Sequence, residues 1–187
     1  SLENVAVTAP LRLWHTFHTL ELTYRDAYGS QLNERYQSKW NQYESLSRWA
    51  SETLFQAGLG LVWDPLPKGP APELGYVAGT LGPSCYFVRV SWVNRSGEEG
   101  TPGEIGSIEI PAASLLTVKA PNPPASATGW YVYAGTTVDT VSRQNQAPLV
   151  LNETWIQANI GLTAGALPGS GQEPNCLRGL PRVLERG

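Results

Sequence analysis

Charged side chains are scarce in this sequence of 187 residues, at 16% against the roughly 25% of an ordinary soluble domain. Neither sign is in strong excess. The 13 basic and 16 acidic residues leave a formal net charge of −3. That excludes a strongly basic nucleic-acid binder, because neutralising a run of phosphates takes a Lys/Arg surplus. No apolar run approaches the ~18 residues that span a bilayer. The first residues lack the basic-then-apolar layout of a signal peptide, so neither membrane contact nor export is expected. There are 2 His and 2 Cys, with no phosphate-binding glycine loop and no G-x-S-x-G element. No constellation for catalysis is present, and a non-enzymatic protein without cofactor is expected. What the chain does have is 41% hydrophobic residues, including 7 Trp and 8 Tyr. That composition suits a protein that buries surface against partners.

Glycine and proline are nearly missing from the first third. Residues 1–57 hold Gly29 and Pro10 alone, and all the rest of the 19 Gly and 15 Pro follow. Each Gly costs a helix interior about 1 kcal/mol and each Pro about 3, whereas turn-rich β structure needs both. The sequence therefore predicts an α+β protein with a boundary near Gly58. A helical domain spans 1–62, a Pro-rich extended linker 63–73, a β-sandwich 74–160 and an extended C-terminal arm 161–187. In the helical part, Leu13, Phe17, Leu20, Tyr24, Ala27 and Tyr28 recur at spacings of three and four. Leu32, Tyr36, Trp40, Tyr43, Leu46, Ala50 and Leu54 continue the stripe, which is the helical period of one buried face. Gly58 is placed to close the helix. Gly29-Ser30 interrupts the pattern as a kink or a reversal, and two helices over about 11–28 and 30–57 are favoured.

Strands are expected at 74–79, 84–94, 104–110, 114–120, 128–134, 140–145 and 155–158. In the second of these, Tyr86, Val88, Val90 and Trp92 alternate with Cys85, Phe87, Arg89 and Ser91, the two-residue period of a strand with one core face. Short strands broken by turns every 8–12 residues read as a sandwich.

Two stretches carry a resemblance. Tyr86–Gly100, followed by Thr128-Gly129-Trp130-Tyr131-Val132-Tyr133-Ala134-Gly135-Thr136, resembles the fibronectin-type-III/immunoglobulin-like modules of tailed-bacteriophage virion proteins. The helical part, with Tyr24-Arg25-Asp26-Ala27-Tyr28 and Gln31-Leu32-Asn33-Glu34-Arg35-Tyr36, is similar to the small helical adaptors that bind portal rings. The resemblance implies a virion structural protein of the head–tail connector (neck or adaptor), assembled in the bacterial cytoplasm as a ring of twelve copies. Its implied partners are a portal protein and adjacent neck or tail proteins. The alternative is a tail, baseplate or fibre-associated protein that uses the sandwich for host-surface adhesion, with Trp130 and Tyr131 as a sugar-stacking platform.

Trp, Tyr and Arg are enriched in binding hot spots. The candidate interface residues are therefore Trp14, Tyr28, Tyr36, Trp40 and Trp49 on the helices and Leu177, Leu180, Arg182 and Leu184 on the arm. The arm is expected to dock on its own domain or to lock onto a neighbour. Several polar groups receive plainer readings. His15, His18 and Glu21 would share a helical face, but no further His or Cys completes a metal shell, so they are read as a polar surface. Cys85 and Cys176 are read as free thiols. Asn94-Arg95-Ser96 and Asn152-Glu153-Thr154 are read as turn residues rather than glycosylation sites. Glu98, Glu99 and Glu104 are read as a solvated hairpin tip.

Overall fold

A computed structural model describes residues 1–180 of the chain. A short turn of 3-10 helix (Leu2–Asn4) precedes helices α1 (Ala9–Gln31) and α2 (Glu34–Ala57). The strands that follow among the described residues are β1 (Leu59–Leu61), β2 (Glu73–Leu81), β3 (Ser84–Asn94), β4 (Gly106–Ile110), β5 (Ser114–Lys119), β6 (Ala127–Gly135), β7 (Ser142–Arg143), β8 (Leu149–Val150), β9 (Trp155–Ile156) and β10 (Cys176–Arg178). The class is α+β, with antiparallel sheets. The described residues form two compact units, one from residues 1–63 together with 173–180, the other from 64–172.

In the first unit α1 and α2 pack as a hairpin. Pro10 sits in the first turn of α1, where its missing N–H costs no bond. The helix continues through Gly29, so the reversal does not fall there. Ser30 stays helical and returns its hydroxyl to the carbonyls of Asp26 and Ala27. The chain reverses instead at Leu32-Asn33. Leu32 adopts the left-handed conformation at φ 48° and its N–H bonds Tyr28 O. Asn33 caps α2, its side chain accepting from Arg35 N, the service that makes Asn a strong N-cap. Each helix is about 35 Å long at 1.5 Å per residue. The Gly58 stop appears as expected, at φ 81° with its N–H on Leu54 O.

The rest of this unit is a small β ribbon. β1 pairs with β10 through Leu59↔Arg178, Gly60↔Leu177 and Leu61↔Cys176. On the other side of β1, Ala6 N–H donates to Gly60 O and Val62 N–H to Asn4 O. Asn175 Oδ1 also accepts from Trp63 N. The arm expected over 161–187 is therefore divided. Residues 173–180 return to the first unit, tied by backbone bonds that no periodicity announces, and residues 161–172 belong to the second.

The second unit is sandwich-like. One sheet has the order β2-β5-β9 and the other β4-β3-β6-β7, with β8 also on β6. The inner rows meet as expected for β3: Tyr86, Val88, Val90 and Trp92 are buried against Leu116, Val118, Trp130 and Val132. Leu74 and Trp155 pack on the same cluster, opposite Val118 in the register of their sheet. The expected linker is not a free spacer. Gly69 N–H bonds Thr101 O, and a Cβ at Gly69 would stand 2.1 Å from Val90 O. Proline-rich backbone thus lies flat on the unit because glycine allows the approach. Trp92→Ala is expected to destabilise this unit by about 3–5 kcal/mol, read as a lower urea midpoint in near-UV dichroism; an unchanged midpoint would contradict the packing described.

Candidate functional site: the aromatic hairpin

The hairpin interior is built from rings. Tyr24 stacks on Tyr43 with centroids 5.3 Å apart and lies 6.4 Å from Tyr36. Tyr28 stacks on Trp40 at 6.0 Å. Near the base, Trp14 stacks on His18 at 5.3 Å. Such pairs contribute about 0.5–1.5 kcal/mol each beyond their buried area. Below the rings, α2 offers Ser47, Ala50 and Leu54, its buried residues, while α1 has no buried residue at all. The helical period therefore reports a seam between two helices that water still reaches.

Of the residues expected at an interface, Tyr28, Tyr36 and Trp40 are half-buried and engaged with rings of the hairpin itself, and Trp14 is half-buried over His18. They are anchors within the unit, since two antiparallel helices bring their stripes together. Trp49 is the exception and stands 56% exposed. Leu177 is 62% exposed on β10. Leu180 lines a mostly apolar groove of about 620 Å³ with Val5, Leu59, Leu61 and Trp63. Arg182 and Leu184 lie outside the described residues. Leu22, not singled out from the sequence, is 37% exposed, and Leu32, expected on the buried stripe, is instead 75% exposed because the chain turns there.

His18 Nδ1 lies 3.1 Å from Glu21 Oε2 and 3.4 Å from Ser47 Oγ. His15 is exposed and does not line the cavity that His18 and Glu21 share with Glu44 and Arg48. No group of three or more His, Cys, Asp or Glu is placed to hold a metal among the described residues. Both cysteines are free thiols.

The acidic turn of the second unit differs from expectation. Glu98 and Glu99 are not a solvated tip but half-buried acceptors. Glu99 Oε1 accepts from Ser91 Oγ and from Tyr133 OH, both at 2.5 Å. Glu98 Oε2 accepts from Asn94 Nδ2 and Gln172 Nε2. Asn94 is buried, its Oδ1 accepting from the N–H groups of Ser96 and Glu98, which makes it the hub of the turn. Glu104 alone is exposed, and the hydrogen bond and charge of Lys68 hold its carboxyl below the usual carboxylate range. Burial first, and the Glu99 carboxylate second, push the Tyr133 hydroxyl well above its ordinary value. Trp130 is buried with its indole N–H on Val150 O. Tyr131 is half-buried beneath Arg143, 4.6 Å from the ring centroid. The two do not form an exposed aromatic platform.

No family model matches the chain, and no curated protein matches it.

The Tyr133–Glu99 bond makes stability depend on pH at the alkaline end. A tyrosine whose folded pKa is raised contributes fully below the unfolded value of about 10 and loses that contribution as pH rises beyond it. The wild-type melting temperature is therefore expected to fall between about pH 9.5 and 11, and that of Tyr133→Phe to fall less steeply. Equal slopes in scanning calorimetry would contradict the assignment.

Proposed function

We propose that this chain is a bacteriophage structural protein, a head–tail connector subunit that assembles into a ring on a portal, with the α1–α2 hairpin making the principal contact. The observation that carries the reading is the turn of that hairpin. A leucine in the left-handed region costs about 1–2 kcal/mol, and the fold has no use for it there, because Gly or Asn would close the same turn without strain. The side chain is also 75% exposed. Strain and exposure together make sense where a partner covers Leu32, since sparsely populated backbone states persist where function requires them. Leu22 and Trp49 are further exposed apolar residues of the two helices. The sequence likeness to portal-binding adaptors supplies the identity of the partner. Repetition around a closed ring multiplies modest contacts, at roughly 25 cal/mol per Å² of apolar area.

Through residue 180 the arm is tied to β1 by the pairing of β10 and by Asn175 N–H on Leu61 O. The adhesion alternative has less support, because burial withdraws Trp130 from any sugar platform.

Leu32→Gly separates fold from assembly. It is expected to raise the stability of the isolated chain by about 1 kcal/mol, strain relieved less the entropy of glycine, while abolishing rings in negative-stain images of the chain mixed with cognate portal particles. Rings that form equally well with the variant, or wild-type chain that never decorates portals, would remove the proposal.

A further inference from the structure

We propose that β2 is a self-docking edge, on which β2 of a second copy adds in antiparallel register about a two-fold axis at Val77. This does not rest on the connector reading, whose contacts lie on the helices. β2 is the terminal strand of its sheet, paired to β5 on one side. Among the described residues none pairs with its other side. Tyr76 is 54% exposed, Val77 40%, and Ala78 is exposed as well. Long sheet edges are ordinarily guarded by lysine, proline or inward charge. Leu74–Leu81 carries no charged residue and no proline, and only the irregularity between Ala78 and Leu81 interrupts the strand.

The backbone identifies the kind of partner, and the side chains identify which one. Gly79 N–H points inward to Ala113 O. Antiparallel strands alternate in the direction their amides face, so Tyr76 and Ala78 turn their N–H and C=O groups to the open edge. An extended backbone matches such a row bond for bond. A two-fold axis perpendicular to the sheet keeps like faces together, so residues of equal parity must stand opposite. Centred on Val77, that symmetry sets Tyr76 of each copy against Ala78 of the other. These are the residues that face outward, so each Tyr76–Ala78 pair exchanges two backbone bonds. The bulky ring meets the small methyl, and no like charges oppose, which meets the self-complementarity a two-fold interface demands.

The outer face of the sheet continues the match. Val77 stands opposite Leu115, and the row Gly75–Thr117–Ile156 lies beside it, with Ile156 51% exposed. Pairing at Val77 therefore joins two uncharged patches into one.

Sedimentation equilibrium of the full chain tests this. A concentration-dependent dimer is expected. Val77→Lys, which sets two ammonium groups side by side, and Ala78→Pro, which deletes an outward N–H in each copy, should each weaken it about tenfold or more. Both should leave the melting temperature of dilute protein unchanged. An equimolar mixture of Val77→Lys and Val77→Glu should regain the dimer, which a merely unfolded variant could not do. Leu32→Gly should leave it intact, so loss of this edge contact and loss of the hairpin contact are read separately. A wild-type chain that stays monomeric throughout, a dimer indifferent to both substitutions, or a charge-swapped mixture that fails to pair would overturn the proposal.

Discussion

The contact between the inner rows of the two sheets is the interaction on which the larger unit depends. Trp92 and Trp130 are neighbours on β3 and β6 of one sheet and share a buried cluster with Leu116 and Val118 of the other, with Val88, Val90 and Val132 wholly buried beside them. Excluding water there gives the polar groups nearby their weight. Gln157 is buried, with its carbonyl taking Leu116 N–H and its amide donating to Tyr86 OH. A buried amide without those partners would destabilise the unit by a few kcal/mol. The Glu99–Tyr133–Ser91 and Asn94–Glu98–Gln172 groups follow the same logic at the turn after β3. There hydroxyl and amide donors bond the carboxylates. Distant segments are recruited to do so, and residue 172 closes a bond to a turn at residue 98.

The helical unit works on another basis. Its hairpin encloses little: rings stacked in pairs, three buried residues on α2 and none on α1. Isolated helices depend on tertiary packing more than on propensity, so a thin seam leaves such a hairpin only modestly stable. Its ends are well made, with Asn33 and Gly58 closing α2 and the base tied into the β1–β10 ribbon. A hairpin secured at the base and bare at the tip is suited to meeting another molecule there. In the other unit a strongly buried core coexists with β2, the terminal strand of its sheet, whose outer side pairs with no strand among the described residues.

Much of this was visible in the residues. The two-residue alternation around Tyr86–Trp92 marked the core face of β3, and the Gly58 stop marked the end of α2. The shortage of glycine and proline before that point separated helices from strands. The candidate site was visible in part: the stripe of Tyr24, Tyr28, Tyr36, Trp40 and Tyr43 announced helices that must pack. It could not say that they pack on each other, because periodicity records which face is apolar and not what covers it. The sequence puts Leu32 on the buried stripe because an apolar residue in phase with a helical period looks like part of the helix. Instead α1 ends at Gln31, Leu32 is the left-handed turn residue and Asn33 caps α2.

Composition and spacing by themselves determined the class, the order of helices before strands, and the identity of the buried faces, because these follow from local backbone preference and side-chain period. Tertiary structure alone decided where the chain reverses, that the proline-rich stretch lies on the β unit, that residues 173–180 return to β1, and that Glu98 and Glu99 turn inward. The reversal is closed by local bonds at Leu32 and Asn33, while the other three rest on hydrogen bonds between residues far apart in the chain. Such pairings are chosen by geometry once the core has formed, and no local pattern encodes them.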